Sequence, residues 1–131
     1  MEIRFRALKD DISNCQFVYG QLVYDAAGNP RITEVDKSGK ELTFHTCIKG
    51  TEGQFTGRED AEINGTQVYE GDIIENCDTK YLQVVYWNTN ECAWYCRYVY
   101  DESRIVSLAD SLGNLNKVIG NIYENPELLS Q

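Results

Sequence analysis

Two groups of residues in this sequence have types and spacings that could do chemistry. His45-Thr-Cys47 and Cys92-x-x-x-Cys96 are pairs of the kind that tetrahedral zinc sites combine. In an extended chain each pair falls on one side of its strand. Along a strand, however, C-x-x-x-C separates the sulfurs, and zinc pairs usually come from β-turn knuckles. Ordinary thiols and an ordinary histidine are therefore the expected reading. His45 is the sole histidine. Cys47 sits two strand positions from it, about 6–7 Å away, too far for a base to activate its neighbour as a nucleophile.

The second group is acidic. Glu59, Asp60, Glu62, Glu70, Asp72, Glu75 and Asp78 occur with no Lys or Arg between positions 59 and 79. Strand alternation would place Glu70 and Asp72 on one face, where they could hold Mg²⁺ or act as a carboxylate pair in a hydrolase. No EF-hand spacing is present. The plainer expectation is a solvated acidic stripe, with Glu70, Asp72 and Glu75 as candidate contacts for a basic protein partner. The glycines between Gly50 and Gly57 match neither phosphate-binding pattern. Tyr81, Tyr86, Trp87, Trp94, Tyr95, Tyr98 and Tyr100 crowd one hairpin. Such aromatics can stack single-stranded bases. With only Lys80 and Arg97 beside them, core packing and a homo-oligomer interface are the favoured uses.

The elements that must position these residues read mostly with period two. Glu2–Leu8 alternates, and Cys15–Tyr24 is rich in β-formers. Arg31–Val35 and Glu41–Ile48 flank a turn at Asp36–Lys40. Lys49–Thr66 reads as a long loop with a turn at Asn64-Gly65. Val68–Asn76 is a strand interrupted by Gly71. Tyr81–Trp87 is apolar on both faces and so belongs in the middle of a sheet; Cys92–Tyr100 returns beside it. Ser107 caps a short helix carrying Leu108, Leu112 and Leu115, with Gly113 as its stop. Lys117–Tyr123 is a last strand, and Asn125-Pro126 opens a terminal helical turn. Seven or eight strands and one helix imply a mainly β protein, an antiparallel pseudo-barrel capped by a short helix.

Composition sets outer limits. A chain of 131 residues is expected to form a single domain, 1–131. Twelve Lys and Arg against 21 Asp and Glu give a net charge of −9, which disfavours coating of duplex nucleic acid. No stretch approaches the roughly 20 apolar residues of a membrane span, and Met1–Arg6 has no signal-like apolar region. A cytosolic protein is expected. Five cysteines, an odd number with no C-x-x-C, are then reduced thiols. No catalytic residue, metal ligand or cofactor is assigned.

Three segments carry a family resemblance: Ile3-Arg-Phe-Arg-Ala7; Gln54-Phe-Thr-Gly57 with Asn64-Gly65 and Tyr69-Glu-Gly-Asp-Ile-Ile74; and Val118-Ile-Gly-Asn-Ile-Tyr-Glu-Asn-Pro-Glu-Leu-Leu129. Together they resemble the YopX family of small phage and prophage proteins, in order and spacing along the chain. Leu8-Lys9 stands where the family usually has Trp-Asp. The resemblance implies the capped pseudo-barrel and a life in the cytosol of a bacterial host. It implies no activity. Its motif residues Arg4, Phe5, Arg6, Gly57, Tyr69, Gly71, Ile73, Gly120, Tyr123 and Pro126 read as structural: Gly71 permits positive φ, Asp72 can accept nearby N–H groups, and Gly120 allows a close approach. The function expected is a non-catalytic module binding a host or phage protein. The alternatives are single-stranded nucleic-acid binding on the aromatic sheet and a carboxylate- or metal-dependent hydrolase.

Overall fold

The structure, a computed structural model, describes residues 3–35, 38, 40–60 and 65–130. Its strands form two antiparallel sheets, and the chain divides into two compact units, Met1–Phe55 and Thr56–Gln131.

In the first unit, β1 (Phe5–Leu8), β2 (Phe17–Tyr24), β3 (Pro30–Val35) and β4 (Glu41–Thr46) run in sequence order. The opening residues of β5 (Gly53–Glu59) pair with β1, Phe5 opposite Gln54 and Arg6 opposite Gly53. The core is Ala7, Ile32 and Cys47, packed by Phe5, Val18 and Leu22. Arg6 is buried as well, its guanidinium 4.3 Å from the Phe17 ring centre. Gly20 has a specific reason: a Cβ there would collide with the Thr33 carbonyl of the adjacent strand. The β3–β4 turn falls partly on residues 36, 37 and 39, outside the described residues.

In the second unit, the end of β5 runs beside β6 (Gln67–Tyr69), and the Thr56 hydroxyl donates to the Val68 carbonyl at 2.7 Å. The five-stranded sheet has the order β10 (Ile105–Ser107), β9 (Ala93–Tyr98), β8 (Leu82–Asn88), β7 (Asp72–Asn76), β11 (Asn116–Asn121). The doubly apolar β8 is central, as its composition requires. Alternation divides its neighbours between two cores. Val68, Ile74, Val85 and Cys96 pack with Leu108 of helix α1 (Leu108–Gly113). Ile73, Leu82 and Val84 pack with Val99, Ile119, Ile122 and Leu128.

The mainly β, antiparallel architecture with a short helix matches the sequence reading. The pseudo-barrel does not close: among the described residues the strands make two open sheets. The break comes at Gly71, which adopts φ +89°. There β6 ends and β7 begins in the other sheet. Gly71 N–H donates to the Val85 carbonyl and its own carbonyl accepts from Ile122, both at 2.9 Å. The Asp72 carboxylate accepts the Tyr69 N–H at 2.7 Å and so clamps the turn. Two further differences are β5, which occupies the expected loop, and β10, which precedes the helix. Helix α1 begins as expected, with the Ser107 hydroxyl accepting from Asp110 N–H at 3.2 Å. It ends before Leu115, which has φ +62° and is exposed. Pro126 opens a 3₁₀ turn, Pro126–Ser130.

Candidate functional site

The face of the five-stranded sheet beneath α1 is apolar at one end and polar at the other. Ladder pairing sets Ile74 opposite Gln83, Gln83 opposite Tyr98, and Asn76 opposite Asn116. Of these, Asn76, Gln83, Tyr98 and Asn116 line, with Ser111 of α1, a cavity of about 370 Å³. Tyr81, Asp78 and Arg104 also line it.

Its floor is a buried polar network. Gln83, Ser111 and Asn116 are each less than 5 % exposed. The Asn116 amide nitrogen donates to both the carbonyl and the hydroxyl oxygen of Ser111, each at 2.7 Å. The Ser111 hydroxyl donates to Gln83 Oε1. A carbonyl can only accept, so the Asn116 amide has one admissible orientation. Its Oδ1 is buried and has no hydrogen-bond partner among the described residues. Nearby, Asn76 Nδ2 donates to the Asn114 carbonyl at 3.1 Å, and Asn114 Nδ2 to the Asp110 carbonyl at 2.9 Å. Cys96 lies against the same network. Burial pushes its thiol up to about 12, outweighing the hydrogen bond with Ser111.

The mouth is aromatic. Tyr81 and Tyr100 are half exposed, their ring centres 4.9 Å apart. Tyr98 meets Tyr100 edge-on at 5.2 Å. The Arg104 guanidinium lies 4.7 Å from the centre of the Tyr98 ring and donates to the Tyr100 hydroxyl. The turn before Arg104 is internally braced: the Ser103 hydroxyl and N–H both bond Asp101, holding its carboxyl below the ordinary value. The other aromatics of the hairpin have different roles. Trp94 packs on the core, Trp87 meets it edge-on at 5.1 Å, and Tyr86 lies under Arg97.

The expected acidic stripe is not assembled as the sequence suggested. Asp72 is 1 % exposed and serves the turn. Glu70 is half-buried within that turn, and Glu75 is half-buried on β7 opposite Leu82 and Lys117. The physical reason is the Gly71 bend: it interrupts the alternation that would have aligned Glu70 with Asp72. Glu62 and Asn64 lie outside the described residues.

Cys47 is buried, and desolvation raises its pKa. Its sulfur donates to the His45 carbonyl at 3.4 Å. His45 Nε2 lies 3.6 Å from Glu34. Cys92 is exposed. Among the described residues no three of His, Cys, Asp and Glu are grouped to hold a metal ion.

The motif residues have structural partners. Arg4 lies over the Phe55 ring, 5.6 Å from its centre. Tyr69 and Ile73 are buried. Gly57 is exposed with φ +85°. A Cβ on Gly71 would touch the Tyr123 ring at 3.4 Å, and one on Gly120 would meet Asn125 Oδ1 at 2.5 Å. Tyr123 N–H donates to Asn121 Oδ1 at 3.0 Å.

The Gln83–Ser111–Asn116 network was not singled out by the sequence reading. Its one sequence signal is Gln83, a polar residue inside an apolar strand. Among the described residues no helix is long and apolar enough to cross a membrane. No curated protein matches the chain. The family model described as YopX protein matches residues 4–130, nearly the whole chain and, from Arg4 onward, the three motif segments. The chain belongs to the YopX family.

Proposed function

We propose that this chain is a non-catalytic interaction module of phage or prophage origin that binds another protein in the cytosol of a bacterial host. The observation that carries the reading is the Tyr81–Tyr98–Tyr100 cluster. Tyrosine and arginine together, half exposed and held by one another, form the composition and geometry of a protein-binding hot spot. Tyr81 and Tyr98 line the cavity, and Tyr81 and Tyr100 are half exposed. The net charge of −9 favours a basic partner and speeds its encounter.

Capture from bacterial lysate with the tagged chain, after nuclease treatment, tests this. A specific protein retained by the wild type and lost with Tyr81→Ala is the expected result. Equal recovery by the variant, or recovery of nucleic acid alone before nuclease, would remove the proposal in favour of another face or of base stacking.

A further inference from the structure

We infer that the outer edge of β4 receives an extended segment of a partner protein, which adds to the first sheet as a further antiparallel strand. The inference goes beyond the tyrosine-cluster reading and does not rest on it, since β4 belongs to the first unit. β4 is the terminal strand of its sheet. The direction of its hydrogen bonds follows from the register. Arg31 faces Thr46 and Thr33 faces Phe44, and the adjoining pair, Pro30 with Cys47, is joined by a bond from Cys47 N–H to the Pro30 carbonyl at 3.0 Å. Antiparallel pairs alternate, so Thr43 and His45 bond to β3, while Phe44 and Thr46 turn their N–H and C=O groups outward. The Thr46 carbonyl accepts Asp10 N–H at 2.9 Å. The Phe44 N–H and C=O and the Thr46 N–H have no partner among the described residues.

The occupant is selected by what the chain itself begins to build there. Lys9 forms an antiparallel bridge with Cys47, and Asp10 makes the adjoining bond. The chain then leaves the edge. Ser13 N–H and hydroxyl both donate to Asp11 Oδ1, at 3.0 and 2.8 Å, and Asn14 N–H donates to the Asp11 carbonyl. A ladder continued in that register would set Ile12 opposite Phe44; instead Ile12 is fully exposed. Its place is an open cleft of about 710 Å³ along Thr43–Thr46. A row of outward backbone donors and acceptors is matched by another extended backbone. Phe44 is 57 % exposed, so an apolar side chain opposite it gains a cross-strand contact. The protein closes the corresponding edge of β11: the outward N–H groups of Val118 and Asn121 bond Asp60 Oδ2 and Asn125 Oδ1. A second copy does not fit the β4 edge. Pairing two β4 strands about Phe44 sets Leu42 of one opposite Thr46 of the other, where Asp10 already lies.

The test uses the isotope-labelled chain, NMR and a short extended peptide, Thr-Val-Thr-Val-Thr, acetylated, amidated and flanked by lysines. With a valine opposite Phe44, the valine N–H groups face β4 and the threonine N–H groups face away. One analogue is N-methylated on both valines, the other on two of the threonines. In the free chain the Phe44 and Thr46 amides should exchange with solvent about tenfold faster than those of Thr43 and His45. The parent and threonine-methylated peptides should saturate in roughly the millimolar range and move the Phe44 and Thr46 amide resonances. The valine-methylated peptide should bind about tenfold more weakly. Slow exchange at Phe44, no saturation by the parent peptide, equal binding of the two methylated peptides, or shifts that miss β4 would each overturn the inference. A Phe44 shift that grows with chain concentration, without peptide, would give the edge to a second copy and overturn it as well. Tyr81→Ala should leave the titration unchanged, so the tyrosine-cluster reading and the β4 edge can each fail alone.

Discussion

Replacing Asp72 separates a turn clamp from a docking charge. In Asp72→Ala the buried Tyr69 N–H loses a carboxylate acceptor at 2.7 Å, in a site where Asp72 itself is 1 % exposed. A hydrogen bond to a charged group contributes about 1.5–3 kcal/mol, and depriving a buried donor costs about 1–3 kcal/mol. These overlap, so the expected loss is about 3 kcal/mol, over a hundredfold in the folding equilibrium. Asp72→Asn keeps an acceptor oxygen and should lose about half as much. Glu75→Ala, at a half-buried position, should stay within about 0.5 kcal/mol. Urea unfolding followed by tryptophan fluorescence reports on the right part of the chain, because Trp87 and Trp94 both lie in the second unit. An Asp72→Ala variant as stable as wild type but unable to hold its partner would refute the clamp and restore the acidic stripe.

Other perturbations follow from particular contacts. Gly120→Ala should destabilise by about 2 kcal/mol in the same unfolding assay, because its Cβ would meet Asn125 Oδ1 at 2.5 Å, and that oxygen is fixed by the Asn121 N–H. Three thiols should react quickly with Ellman's reagent, namely the exposed Cys15, Cys77 and Cys92, and buried Cys47 and Cys96 only after unfolding. Cys96 also makes stability fall with alkali. Its pKa rises from 9.0 unfolded to about 12 folded, so its contribution is full below pH 9 and is lost as pH rises toward 12. Over that window the folding constant drops up to tenfold per pH unit on this account. Cys96→Val should flatten that part of the profile relative to wild type.

Local signals were legible where the residue does its work within a few positions. Gly71 and Asp72 read as a turn with positive φ and a side-chain acceptor, and both features are present. Ser107 capping α1 and Pro126 opening the 3₁₀ turn are equally local. The central position of β8 followed from two apolar faces. What failed depended on distant partners. β5 looks like a glycine-spaced loop, and it is a strand because Gly53 and Gln54 find Arg6 and Phe5, and Thr56 finds Val68. β10 has three residues, too few to show a period. The aromatic half of the site was visible as a crowded hairpin, but its sorting into core, rim and arginine-covered rings was not. Gln83, Ser111 and Asn116 come from three separate elements, and only the strand order β8–β7–β11 and the packing of α1 on that sheet bring them together.

The protein-binding claim is tested most directly by the footprint of a captured partner on the isotope-labelled chain. The expected footprint centres on Tyr81, Tyr98, Tyr100 and Arg104, with little change around Glu70 and Glu75. A footprint centred on Trp87 or confined to residues of the first unit would contradict it.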